Sequence, residues 1–263
     1  MSRKNNKIHS KQKSNSQIHI GAIRDLPYGV LMDAGLYIVG TPIGNLGDIS
    51  FRALETLREV NLIVAEDTRY TRRLIGRYEI ETRLMSCHKF NEVQRAEQII
   101  ERIENGEAVA MVTDSGMPGI SDPGARVVAL CREANVAITS VPGPAAVTTA
   151  VALSGLGEKG FIFAGFLPHK SGGRKRDLLK WIEADLPVVF YESPYRLLKL
   201  LGEIEEHLGA ERIVFVGREL TKKFEELSTG TPAEIQAQYE GRNVKGECVV
   251  IVQPIPKQRK NKK

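Results

Sequence analysis

The sequence has little of what marks secreted, membrane-spanning or metal-holding proteins. Three cysteines, Cys87, Cys131 and Cys248, stand far apart among 263 residues. With an odd count and no C-x-x-C pair they indicate neither a disulfide framework nor a metal site, and the expected compartment is a reducing cytoplasm. No apolar run approaches the roughly 20 residues that span a bilayer, so no membrane association is expected. The N-terminus carries scattered lysines without an apolar core, unlike a secretory signal. The common nucleotide and hydrolase fingerprints are missing as well. The first glycine-bearing loop places Gly40, Gly44 and Gly47 at the wrong spacing for G-x-G-x-x-G, and no Walker loop, G-x-S-x-G elbow or H-E-x-x-H occurs. A dinucleotide Rossmann enzyme and a P-loop NTPase are both disfavoured.

What is present is a soluble globular composition, 42% apolar and 26% charged, long enough for one large domain or two of ordinary size. The net charge of +5 is unevenly spread. Residues 1–33 hold six Lys/Arg against two Asp, residues 257–263 hold five Lys/Arg and no acid, and the body between them carries a net −4. The polar first 33 residues read as a mostly disordered extension, with Ile18-His19-Ile20 as a local pairing option. Basic tails of this kind either add phosphate affinity for nucleic acid or serve as solubilising ends.

From residue 36 onward short apolar runs alternate with amphipathic stretches. Strands are expected at 36–39, 61–65, 84–87, 108–113 and 136–140, with intervening helices, one of them capped by Asp48 or Ser50 and another spanning about 92–104. This βαβ pattern predicts parallel strands joined by crossovers, with ligands bound outside their carboxyl ends. Five consecutive strand ends carry Gly/Pro loops or charged clusters. The longest is Thr113-Asp114-Ser115-Gly116-Met117-Pro118-Gly119-Ile120-Ser121-Asp122-Pro123-Gly124, which offers backbone N–H groups to a closely approaching ligand. Asp122-Pro123 reads as the N-cap and first position of the next helix. After Gly155-Leu156-Gly157 a second α/β unit begins. Its expected strands are 161–166, 188–191, 213–216 and 248–252, with a flexible basic loop over 170–176, a helix at about 178–184, another at 195–207 and a last one opening at Pro232. The expected domains are therefore 34–154 and 155–256, flanked by the basic extension 1–33 and the tail 257–263.

Five motifs occur in order: Thr41-Pro42-Ile43-Gly44-Asn45-Leu46-Gly47-Asp48, Ala65-Glu66-Asp67-Thr68-Arg69, Ile120-Ser121-Asp122-Pro123-Gly124, Phe190-Tyr191-Glu192-Ser193-Pro194 and Arg218-Glu219-Leu220-Thr221-Lys222. Together they resemble the bacterial ribosomal RNA small subunit methyltransferase I family, of the tetrapyrrole-methylase-like group, over roughly 36–253. Small departures from the family pattern are Ser115, Met117 and Lys89-Phe90. The resemblance implies two α/β domains with a cleft between them that binds S-adenosylmethionine, and 2′-O-methylation of a cytidine ribose in the decoding region of 16S rRNA. It places cofactor contacts on Gly116, Met117, Pro118, Ile120, Ser121, Ala145, Ala146, Tyr191, Glu192 and Gly246. A homodimer is implied too, which light scattering would test: a lone monomer peak at micromolar concentration would refute it.

Methyl transfer to a ribose hydroxyl needs alignment and, since the hydroxyl is a poor nucleophile, a base or a cation favouring the alkoxide, but no metal. Glu66, Asp67, His88, Glu192 and Lys222, all at strand ends, are the candidates. The competing readings are helix caps for Glu66 and Asp67, an ion-pair partner for Glu192 and a surface position for His88. Contacts to 16S rRNA or the small ribosomal subunit are expected from Arg69, Arg72 and Arg73 on one helix, from Lys170, Arg174 and Lys175 in the basic loop, and from Arg218, with Tyr70, Phe90 and Tyr195 as options for stacking on a base. Two other functions compete: methylation of a small tetrapyrrole-like acceptor, which gives no reason for distributed positive charge, and a non-catalytic RNA-binding assembly factor, which has no need of the long Gly/Pro loop.

Overall fold

A computed structural model describes residues 32–254; the expectations for residues 1–31 and 255–263, including the local pairing at 18–20 and the basic tail, lie outside the described residues. The first sheet is wholly parallel, as the βαβ alternation predicts. Its strands are β1 (Gly35–Val39), β2 (Leu62–Ala65), β3 (Leu84–Ser86), β4 (Ala108–Val112) and β5 (Ile138–Val141), in the order β3-β2-β4-β1-β5. Period-two alternation divides β4 between two cores. Ala108, Ala110 and Val112 face one layer with Leu54 and Leu57 of α1 (Phe51–Glu59) and Ile75 of α2 (Thr68–Arg77). Val109 and Met111 face the other, with Ile99 of α3 (Glu92–Glu104) and Val127 of α4 (Ala125–Glu133). Ser50 caps α1 by accepting from the Ala53 N–H.

The second sheet is mixed. Its order is β6 (Ile162–Phe166), β7 (Val188–Glu192), β10 (Cys248–Val252), β8 (Val214–Arg218) and β9 (Glu226–Gly230); only β6 and β7 run parallel. One face packs on α7 (Pro194–Leu208) and α8 (Pro232–Tyr239) through Leu197, Leu201, Ile204 and Ile235. The other face is closed by α5 (Ala146–Ser154), which follows β5 of the first sheet and buries Val147 and Ala150 against Val189, Phe215 and Ile251. The helix that ends one βαβ series is thus the roof of the other sheet.

Two local expectations are corrected. The stretch expected as a flexible basic loop is the helix α6 (Ser171–Leu179), anchored at i and i+4 by the buried Arg174 and Leu178. Asp122 does not cap a helix. The chain instead turns through left-handed backbone at Gly119, Ser121 and Gly124, and Glu92 accepts from the Gly124 N–H at 2.7 Å, so α4 starts only at Ala125.

Candidate functional site

The long loop after β4 is held open by its neighbours. Thr41 and Gly116 exchange two backbone hydrogen bonds, N–H to O, of 2.9 and 3.2 Å, and the buried Thr41 hydroxyl donates to the Thr113 carbonyl at 3.1 Å. Gly40 and Gly143, at the ends of the paired strands β1 and β5, touch backbone to backbone. A side chain at Gly143 would stand 2.8 Å from the Gly40 oxygen, so the turn through Pro142 and Pro144 requires glycine here.

These loops meet the end of β7 and the start of β10 around a cavity of about 190 Å³. Where the first sheet contributes, the wall is small or apolar at Ile43, Gly116, Met117, Ile120, Ala145 and Ala146 and polar at Ser115, Ser121 and Asp122. The second sheet adds Phe166, Tyr191, Ser193, Pro194, Gly246 and Val249. The Tyr191 hydroxyl accepts from the Val147 N–H at 3.0 Å, fastening β7 to the first turn of α5 beneath the cavity. A bulge in β6 at Ala164, with left-handed Gly165 set against Ser121, turns Phe166 toward the cavity mouth, edge-on to Tyr191 at 5.5 Å between ring centroids.

Nine of the ten expected cofactor contacts line this cavity: Gly116, Met117, Ile120, Ser121, Ala145, Ala146, Tyr191, Glu192 and Gly246. Pro118 is buried away from it. Sequence reasoning passed over Asp122, Glu247, Phe166, Ser193 and Pro194, which line it as well. In the sequence Asp122 has the signature of a cap, and Phe166 that of an aromatic at a strand's carboxyl end.

The candidate catalytic groups are placed very differently. Glu192 borders the cavity with its carboxylate heavily engaged: Arg174 donates to one oxygen at 3.0 Å, while the Ser193 N–H and Arg196 hold the other, each at 2.7 Å. It anchors two arginines and the Ser193 backbone at the cavity's edge. Asp67 caps α2 and binds Arg69, whose guanidinium holds the carboxyl down at about 2. Glu66 is half-buried, and burial, then the charge of Asp114, pushes its carboxyl above the ordinary carboxylate value. His88 is exposed on the turn after β3. Lys222 binds Glu219 at 2.7 Å and Glu247 at 2.8 Å; burial alone would lower its ammonium, but those two hydrogen bonds outweigh burial and raise it. None of these four lines the cavity, although Glu66 and Asp67 sit beside its loop and Lys222 reaches it through Glu247.

Of the expected RNA contacts, Arg69, Arg72, Arg73, Lys170 and Lys175 are exposed. Arg174 is not: its side chain is 0% exposed and ion-paired with Glu192 and Glu203. Arg218 is also turned inward, donating to Glu226 and to the Lys245 and Phe224 carbonyls. Both charges are taken up by carboxylates, for Arg174 at 18 and 29 residues' distance and for Arg218 across the β8–β9 ladder. Among the described residues no group of His, Cys, Asp and Glu is arranged to hold a metal ion, and no helix is long and apolar enough to cross a membrane.

The acidity of the cavity is its main electrostatic feature. Burial, then the charges of Glu66, Asp114 and Glu247, push the Asp122 carboxyl up to about 6. A small, largely apolar pocket with one carboxylate, Asp122, that forms no ion pair among the described residues fits a ligand that combines a heteroaromatic ring with positive charge, as a sulfonium nucleoside does.

Comparison with known proteins agrees with the motifs. The profile of the tetrapyrrole (corrin/porphyrin) methylases matches residues 35–236. The chain is 44% identical over 220 residues to the ribosomal RNA small subunit methyltransferase I of Vibrio cholerae, covering 82% of this chain and 76% of that one. It is 46% identical over 218 residues to the protein of the same name from Thermotoga maritima, covering 82% and 97%. The crystal structure of the methyltransferase CobJ superposes with a TM-score of 0.65 at 19% identity, covering 84% of this chain and 95% of that one, and shows the shared fold. The chain is a tetrapyrrole-methylase-fold protein and belongs to the ribosomal RNA small subunit methyltransferase I family.

Proposed function

We propose that this chain, acting as a homodimer, transfers the methyl group of S-adenosylmethionine to the ribose 2′-hydroxyl of a cytidine in the decoding region of 16S rRNA, with residues 34–154 and 155–256 as the two domains that enclose the cofactor. The observation that carries the reading is the carboxylate-bearing, backbone-rich cavity between the two sheets, in a chain whose relatives at 44–46% identity are named as ribosomal RNA methyltransferases. When bound, the cofactor supplies an activated methyl group with a built-in leaving group. The residues that would hold it are Gly116, Met117, Ile120, Ala145, Ala146 and Tyr191, with Asp122 offsetting its positive charge. The chain's remaining work is alignment of the attacking oxygen and acceptance of its proton. Glu66 suits the second role, because its raised carboxyl is a stronger base than an ordinary surface glutamate. Lys222, kept protonated by Glu219 and Glu247, acts as a cation rather than as a base.

The direct test is incubation of the purified protein with labelled S-adenosylmethionine and unmodified small ribosomal subunits, with the mark mapped by mass spectrometry. One ribose-methylated cytidine is expected. Cofactor binding with no RNA label would move the assignment to a small acceptor of the tetrapyrrole type, and absence of both would favour an assembly factor.

A pH dependence follows from Asp122. Its carboxyl is raised to about 6 in the free protein, and a cationic ligand favours the ionised form. Affinity for S-adenosylmethionine should therefore be full above that value and fall as pH drops below it, by up to about tenfold per unit. Asp122→Asn should flatten this profile and weaken binding at neutral pH by roughly tenfold. Calorimetric titration between about pH 5 and 8 checks it; a profile unchanged by the substitution would remove Asp122 from the site.

A further inference from the structure

The most exposed aromatic ring among the described residues is Phe90, 92% accessible, on the turn between β3 and α3. The turn is built rather than loose. The His88 N–H donates to Asn91 Oδ1 at 2.8 Å, the Asn91 N–H returns to the His88 carbonyl at 2.9 Å, and the His88 ring stands edge-on to Phe90. Next in sequence, Glu92 accepts from the Gly124 N–H, tying the turn to the far end of the loop that lines the cavity. The neighbouring strand end is tied to the same loop, because the Asp67 N–H donates to Asp114 at 3.1 Å. The Cys87 N–H donates to the Ala65 carbonyl at 2.8 Å, so the two segments lie side by side. The second segment carries Arg69, with its side chain 87% exposed, and Tyr70, 49% exposed. Lys89, Arg72 and Arg73 are exposed and form no ion pair among the described residues.

We propose that this surface is a platform for single-stranded RNA beside the cavity: Phe90 stacks on an unpaired base next to the acceptor nucleotide, Tyr70 and the Arg69 guanidinium extend the stacking face, and Lys89, Arg72 and Arg73 take backbone phosphates. The assignment rests on the rRNA reading given above. Rigidly presented aromatics interleaved with unpaired cations are what single strands require, since every base has a face to stack and every linkage a charge to neutralise. Asp67, which pairs with Arg69, forms no ion pair with Lys89, Arg72 or Arg73 among the described residues.

The test uses the full chain. Phe90→Ala should raise KM for unmodified small subunits by about 10- to 100-fold, leave the Kd for S-adenosylmethionine within about twofold, and be rescued by Phe90→Tyr or Phe90→Trp. Replacing Lys89, Arg72 and Arg73 together with alanine should lower the salt slope of RNA binding by about two to three. Binding of a short fluorescent cytidine-containing oligoribonucleotide, read by anisotropy, tests the platform separately: if the wild-type protein methylates no RNA yet Phe90→Ala loses this binding, the acceptor assignment fails and the platform stands. An unchanged KM and anisotropy would overturn the proposal. So would a change of oligomeric state in Phe90→Ala by light scattering, which would make the ring a contact between copies of the chain.

Discussion

Arg174→Met should cost about 3–5 kcal/mol of folding stability, the range for removing one partner of a buried ion pair, and lower Tm by roughly 10 °C in a chain of this size. The guanidinium is fully enclosed beneath α6 and serves two carboxylates from different elements: Nε and Nη2 face Glu203 of α7, while Nη1 donates to Glu192 at the end of β7. Burial alone would weaken its hold on a proton, but the hydrogen bonds it donates to Glu203 and Glu192 reverse the sign. Methionine fills much of the volume and leaves both acids short of a partner. Glu192 keeps Arg196, and Glu203 keeps only Lys199 at 3.9 Å. Arg174→Lys should recover part of the loss, because one ammonium cannot reach both carboxylates with a fork's geometry. Urea unfolding of the three proteins decides the matter; equal midpoints would show that the cluster contributes nothing to folding.

Gly143→Ala is the second large effect, and it falls on binding. The added methyl would lie 2.8–2.9 Å from three backbone atoms of Gly40, none of which can rotate away. Either β1 or the Pro142–Pro144 turn must move, and Ala145 and Ala146, which wall the cavity, move with that turn. A displacement near 1 Å is enough to cost about 100-fold in a positioned site, so S-adenosylmethionine affinity should fall by that order while the far-ultraviolet circular dichroism remains native. A dissociation constant within about threefold of wild type would show that the turn absorbs the methyl. Gly155 is a useful control, since an added Cβ there meets nothing within 4 Å; its left-handed φ of +68° confines any cost to the helix end.

These two positions also mark how far the residues could be read without the structure. Backbone-driven features were legible. The apolar runs at 36–39, 61–65 and 108–113 became strands, and nine of the ten residues assigned to the cofactor by family likeness border one cavity. What escaped was set by partners distant in the chain. Arg174 looks like part of a basic, glycine-bearing loop until Glu192 and Glu203, 18 and 29 residues away, are seen to neutralise it. β9 escaped because its residues Glu226-Leu227-Ser228-Thr229-Gly230 carry no apolar run; an edge strand with only Ser228 buried is held by its ladder to β8, not by hydrophobic pattern. Asp122 escaped because Asp-Pro before an apolar stretch is a sound capping signal, overridden here by left-handed turns at Ser121 and Gly124.

The position of β10 has a consequence for how the chain comes into being. It is the last strand in chain order among the described residues, yet it lies at the centre of its sheet, flanked by β7 and β8. During synthesis β6–β7 and β8–β9 can form only as separate ribbons with open inner edges, and the apolar residues that α7 must cover wait for Val250 and Val252. The parallel sheet suffers no such delay, because all five of its strands precede β6 in the chain. The nascent protein therefore passes through a stage with one finished half and one unsealed half, whose exposed edges invite pairing with other chains.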